Sequence, residues 1–293
     1  MSIEPLVLTS PVVTGIHPPP ATVRADREWL MAYAAALSEH DPARYDTTRE
    51  GGVDAHPLFP VCLEWPSWLQ ALESALPPDA LPRGVHATHE LRYHRPIRQD
   101  ESLRIETRIV ACRQRRSGLH LTTVLRSSDE AGNTVFESRA GLLLRGISGE
   151  EAGTEDDSNA NLLPARSFAD EVPQWIETRE APVGFAHVYT ACARIWNPIH
   201  TDLAVARRAG LDDIILHGTA TLALAVSAIC TRESRARPAR RITARFLSPV
   251  TMPTSLRIER LAGNGGDIRF RVRNGSLADA PPACIGTISF ADP

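Results

Sequence analysis

The stretch IWNPIHTD, residues 195–202, has a weaker copy in the same chain, EHDPARYD at 39–46, and this pairing decides how the sequence is read. Working outward, VDAHPLFP at 53–60 answers to IILHGTAT at 214–221. The pentapeptide SLRIE occurs twice without change, at 102–106 and 255–259, and Pro96 and Pro249 keep the same offset. Identical order over so long a span is an internal duplication, so the chain reads as two copies of one domain.

Between the copies, residues 148–168 (SGEEAGTEDDSNANLLPARSF) lose all apolar periodicity and gain five carboxylates, as a solvated linker would. The expected organisation is a first domain over 1–147, the acidic linker 148–168 and a second domain over 169–293. In the second copy, TATLALAVSAIC (219–230) is a helix without a breaker and apolar on nearly every side. The segments RIETRIVACR, LHLTTVLRS and VFESRAGLLLR alternate as strands do. One buried helix wrapped by mostly antiparallel strands is an α+β layer architecture.

Composition removes several function classes. The formal charge of −3 lacks the basic surface that phosphate backbones draw on, so nucleic acid is not an expected partner. All 32 basic residues are arginine, which excludes Schiff-base lysines and P-loop chemistry. Five scattered cysteines suggest neither disulfides nor a zinc site, and point to a reducing cytoplasm. No apolar run approaches the roughly 18 residues of a membrane span, and the first residues carry no basic leader pattern.

With these residues in hand, the second copy resembles the MaoC-like (R)-specific enoyl-CoA hydratases and 3-hydroxyacyl-thioester dehydratases. That family carries D-x-N-P-x-H followed by a His-Gly step opening the central helix. Asn197, Pro198, His200, His217 and Gly218 match, the 17-residue separation of the two histidines is the family's usual one, and Ala206 stands six residues after His200. The aspartate position holds Ile195. The resemblance implies a double hot-dog fold, with a second half that bears the site and a degenerate first half, in which Arg44 replaces the histidine. It also implies an acyl-CoA or acyl-carrier-protein thioester as substrate, no metal or redox cofactor, and an (R)-3-hydroxyacyl product.

Adding water to an α,β-unsaturated thioester needs a base, a proton donor and stabilisation of enolate charge. His200 suits the first role because imidazole titrates near neutrality. Asn197 can hold the water without competing for its proton. Gly218 offers a bare amide at the positive end of a helix, where an oxyanion can sit. His217 is read as positioning the loop before the helix, and Asp202 as the cap of the helix that follows.

Isoleucine moves no proton, so a carboxylate from the first half is the candidate partner. In the related β-hydroxyacyl-carrier-protein dehydratases, histidine and acid come from opposite protomers. The first half's HPLFPVCLEWPSWLQALE loosely resembles that family's helix entrance, and it places Glu64 in an apolar run that would raise its pKa. Arg235, Arg237, Arg240 and Arg241, in CTRESRARPARR (230–241), are candidates for the carrier's phosphates. A closed homodimer is expected on symmetry grounds. Two other functions stand beside the hydratase: a hot-dog thioesterase, and a non-catalytic thioester-binding subunit.

Overall fold

The computed structural model describes residues 6–8, 17–153, 168, 171–233, 237–263 and 266–291. Both halves run through one order of elements, with one extra short helix in the second. The first comprises β1 (Ala21–Arg24), α1 (Arg27–Ala36), a 3-10 turn (Pro42–Arg44), α2 (Pro60–Ala75), β2 (Gly84–Tyr93), β3 (Ser102–Arg115), β4 (Gly118–Ser128) and β5 (Thr134–Arg145). The second comprises β6 (Trp175–Ala181), α3 (Phe185–Ala193), a 3-10 turn (Pro198–His200), α4 (Leu203–Arg208) and α5 (Gly218–Glu233). It closes with β7 (Ala239–Phe246), β8 (Thr254–Leu261), β9 (Ile268–Asn274) and β10 (Pro282–Phe290).

These ten strands form one sheet in the order β1-β3-β4-β5-β2-β7-β10-β9-β8-β6. Equivalent strands follow in the same order from either edge to the centre, so β2 against β7 is a pseudo-twofold seam. It is antiparallel, pairing Arg92 with Arg241 and Thr88 with Arg245. The repeated SLRIE lies at the start of two equivalent strands, β3 and β8. The duplication read in the sequence is thus one continuous sheet with a helix in each half.

α2 packs on β3 and β4, while α5 packs on β8, β9 and β10. Every residue of α5 from Thr219 to Ile229 is buried, which is why the segment shows no polar face. Leu222, Leu224, Val226 and Ile229 each gain about 2 kcal/mol from that burial. The small residues between them let helix and sheet approach closely. α1 and α3 also pack on each other, and Tyr33 and Tyr189, at equivalent places, bring their hydroxyls to 3.4 Å.

The expected linker lies mostly outside the described residues, and its described ends are docked. Ala152 bridges to Cys112 on β3, with Arg113 donating to the Ala152 carbonyl. Phe168 is buried against Leu261 and Ile285. The Arg113 to Arg116 run stands at the β3–β4 turn, with Arg113 half-buried by these contacts. Among the described residues, no helix is long and apolar enough to cross a membrane.

Candidate active site

A proline at its first position and the side-chain cap of Asn197 start the second-half turn, the Asn197 carboxamide oxygen accepting from the Ile199 amide at 3.4 Å. This leaves the Asn197 NH2 as the side chain's remaining donor. Two residues past the turn, Asp202 caps α4 by accepting from the Val205 amide at 3.1 Å, as the sequence suggested. The turn projects His200 inward, where the residue is 8% exposed.

His200 Nδ1 lies 2.7 Å from the Ile215 carbonyl oxygen. A carbonyl only accepts, so Nδ1 carries the proton and Nε2 keeps its lone pair. Burial pushes the His200 pKa down to about 4, against the upward pull of the Ile215 carbonyl. The ring is therefore neutral at pH 7 with its basic nitrogen free. His217 stacks on it, with ring centroids 3.6 Å apart, and donates from Nε2 to the Ile195 carbonyl at 3.2 Å. Burial and the adjacent His200 hold the His217 pKa well below the usual range. The bond to Ile195 ties the residue before α5 to the chain just ahead of the turn. Ile195 contributes its backbone to this arrangement and an apolar side chain to the cavity wall.

The cavity has a volume of about 480 Å³ and runs between the two halves. Asn197, His200, His217 and Gly218 line one part of it, from the second half. Gly218 opens α5, so its amide is among the helix's first-turn donors that have no intrahelical acceptor. A Cβ at Gly218 would stand 3.0 Å from the Phe246 ring, tighter than side chains ordinarily pack. Glycine is thus matched both to the ring and to close approach by a ligand.

Glu64, Trp65 and Trp68 of α2, with His86 and His89 of β2, line the same cavity from the first half. Glu64 is 2% exposed, and its Oε1 has no hydrogen-bond partner. Burial raises its pKa to about 8, opposed by the Ser138 hydroxyl. The carboxyl is therefore protonated at neutrality, the desolvated state anticipated from its apolar neighbours. The arginine cluster stands elsewhere. Arg241 binds Glu90 at 2.9 Å, Arg237 lies over the Phe290 ring, and neither they nor Arg240 line the cavity. Arg235 falls outside the described residues. Among the described residues, the arginine that lines the cavity is Arg145, beside the exposed Ser117. Sequence reasoning passed over Arg145, His86 and His89, and it had no signal for the Ile215 carbonyl.

The first half shows what the site becomes without its histidine. Arg44, in the place of His200, donates to the Ala55 carbonyl at 2.6 Å and so preserves the turn's tether. His56, the counterpart of His217, accepts at Nδ1 from the Leu58 amide at 3.0 Å. Its protonated Nε2 lies 3.1 Å from Ser227 Oγ and 3.5 Å from Glu39, which occupies the place of Ile195. The geometry survives as a brace against α5, with the free base gone.

Comparison with known proteins follows the same division. Residues 177–278 match the MaoC like domain, and residues 13–138 match the FAS1-like dehydratase domain region. Over 235 residues the chain is 27% identical to 3-hydroxyacyl-thioester dehydratase X of Mycobacterium tuberculosis, spanning 78% of this chain and 77% of that one. Over 174 residues it is 27% identical to the peroxisomal enoyl-CoA hydratase 2 of Arabidopsis thaliana, spanning 57% and 56%. A solved MaoC-like dehydratase from Phytophthora capsici superposes with a TM-score of 0.80 at 19% identity, over 96% of this chain and 97% of that one. The fold is a double hot-dog. Within that class, the second half is similar to the MaoC like domain, and most of the chain to a 3-hydroxyacyl-thioester dehydratase.

Proposed function

We propose that this protein reversibly hydrates a trans-2-enoyl thioester, the reverse reaction being dehydration of a 3-hydroxyacyl thioester. The observation that carries the reading is His200, whose Nδ1 proton is committed to Ile215 while Nε2 stays basic in a largely apolar cavity beside the N-terminus of α5. In the forward direction Nε2 takes a proton from a water held by the Asn197 NH2, and the oxygen bonds to C3. The electron pair of the C2–C3 double bond moves to the thioester oxygen, which accepts from the Gly218 amide. The pair then returns to C2, which takes a proton from the Glu64 carboxyl. Transfer from the His200 imidazolium to the Glu64 carboxylate restores both groups. With a base that is empty and an acid that is loaded at neutral pH, the two groups start in the states this step requires.

The names of two relatives support the substrate class: one is a 3-hydroxyacyl-thioester dehydratase and the other an enoyl-CoA hydratase. Arg145 on the cavity rim supplies a guanidinium group for the carrier's phosphates. The chain is expected to work as a homodimer, read by light scattering. The deciding experiment follows purified protein with crotonyl-CoA and longer enoyl-CoA thioesters. Loss of enoyl absorbance without thiol release is the expected result. Thiol release would instead make it a thioesterase, and tight binding with neither would make it a non-catalytic subunit.

A further inference from the structure

The first-half wall of the cavity is more polar than an alkyl chain requires. His89 is 3% exposed, and neither Nδ1 nor Nε2 has a partner. His86 Nε2 is also buried without one. Both residues line the cavity, and a line of ring contacts ties them to the catalytic end. The Gly218 position packs on Phe246, the Phe246 ring lies 4.9 Å from His86, and His86 lies 5.3 Å from His89. Trp68 closes over His86 at 4.9 Å. A chain attached at the Gly218 end would therefore pass Phe246 and meet the histidines.

A buried imidazole with two unmade hydrogen bonds costs free energy that a ligand group can recover. We propose that this end of the cavity is a recognition subsite for an uncharged oxygen function, a hydroxyl or a carbonyl, on the acyl chain, with His89 as its main partner and His86 beside it. The inference rests on the thioester reading above and specifies which thioesters the site takes. Neutral imidazole carries one donor and one acceptor, which matches a hydroxyl in both senses and a carbonyl in one. Burial holds His89 near pKa 4 and His86 well below its usual range, so neither ring offers a cation.

That charge state separates the proposal from its neighbours. A carboxylate would have no cation to meet at His89. Ala140 is the cross-strand partner of His89, and Arg145 lies five residues further along β5, about 17 Å away in an extended strand. Glu64 would repel a carboxylate whenever it ionised. A metal is not indicated, because no group of three or more His, Cys, Asp or Glu among the described residues has a metal-holding arrangement. A plain alkyl chain would leave all three unpaired nitrogens as they are.

The test uses the purified full-length chain and trans-2-enoyl-CoA substrates of matched length. These carry a methyl, hydroxyl, oxo or carboxyl group at the end remote from the thioester. The kcat/KM for the hydroxyl or oxo substrate should exceed that for the alkyl substrate by at least about tenfold, since a site built to bond an oxygen discriminates against its absence. In His89→Leu that ratio should collapse to about one. His89→Asn keeps a donor and an acceptor, and should retain part of it. If His89→Leu does not fold, calorimetric binding of the matching saturated acyl-CoA series to the wild-type chain decides. An alkyl preference there, a carboxyl preference, or a ratio unchanged in a folded His89→Leu overturns the proposal. Binding that favours the oxygenated series without turnover of any enoyl thioester would instead sink the hydratase reading while leaving the subsite intact.

Discussion

At the scale of single residues, Ile195 sets the character of the site. An apolar side chain where the resemblance implies aspartate gives His200 no carboxylate from that position, consistent with a pKa pushed down to about 4 by burial. His200→Ala should lower kcat by roughly a hundredfold or more while thioester binding survives, measured by steady-state kinetics and by calorimetry. The rate should need His200 neutral and Glu64 protonated. Hydration should therefore fall on the acid side near pH 4 and on the basic side near pH 8. Glu64→Gln should lose turnover without losing the fold, and a retained wild-type rate would remove Glu64 from the chemistry. Ile195→Asp would place an anion near the ring, favour the imidazolium, and move the acid limb of the kcat/KM profile upward by roughly a unit. His200, Asn197 and Gly218 were legible because spacing in the chain maps onto a turn followed by a helix. His86 and His89 were not, since a strict two-residue period puts them on opposite faces of β2. The irregular register between His86 and Thr88 brings both to the cavity.

At the scale of elements, the N-terminus of α5 joins fold to chemistry. Gly218→Ala keeps the amide and adds only a Cβ against the Phe246 ring. Gly218→Pro adds bulk and also removes the N–H. If the amide holds the oxyanion, the proline variant should lose at least roughly a hundredfold in kcat and the alanine variant far less. Equal losses in two folded variants would mean that crowding is the cause. α5 was readable because a long apolar run there carries no helix breaker, and β3 to β5 because part of each alternates. α1 and α3 were not exposed by comparing the halves. They hold equivalent places but share Tyr33 with Tyr189 and little else, because packing against each other constrains volume more than identity. The folding back of residues 151–153 and of Phe168 had no sequence signal at all: an acidic stretch can dock through its few apolar groups and its backbone.

For the whole molecule, the buried histidines predict a pH dependence of stability. His56, His86, His89, His120, His200 and His217 are all held below their usual pKa, chiefly by burial. The unfolded chain protonates them near pH 6.5, whereas the folded chain protonates His89, His120 and His200 only near 4 and holds His56, His86 and His217 well below their usual range. Their contribution is complete above about 6.5 and is lost as pH falls through the folded values. Tm should decline steeply between those limits, and His120→Gln should flatten the slope; a flat profile in the wild type would contradict the assigned burial. The seam between β2 and β7 carries a different consequence, one of time. During synthesis β2 is complete long before β7 exists, since Arg92 must wait for Arg241. At typical elongation rates that delay is roughly 7 to 30 s, during which the free edge of β2 is open to any other strand. A nascent chain in this state is the form most exposed to mispairing on crowded ribosomes, and its yield should depend on how quickly the second half is translated.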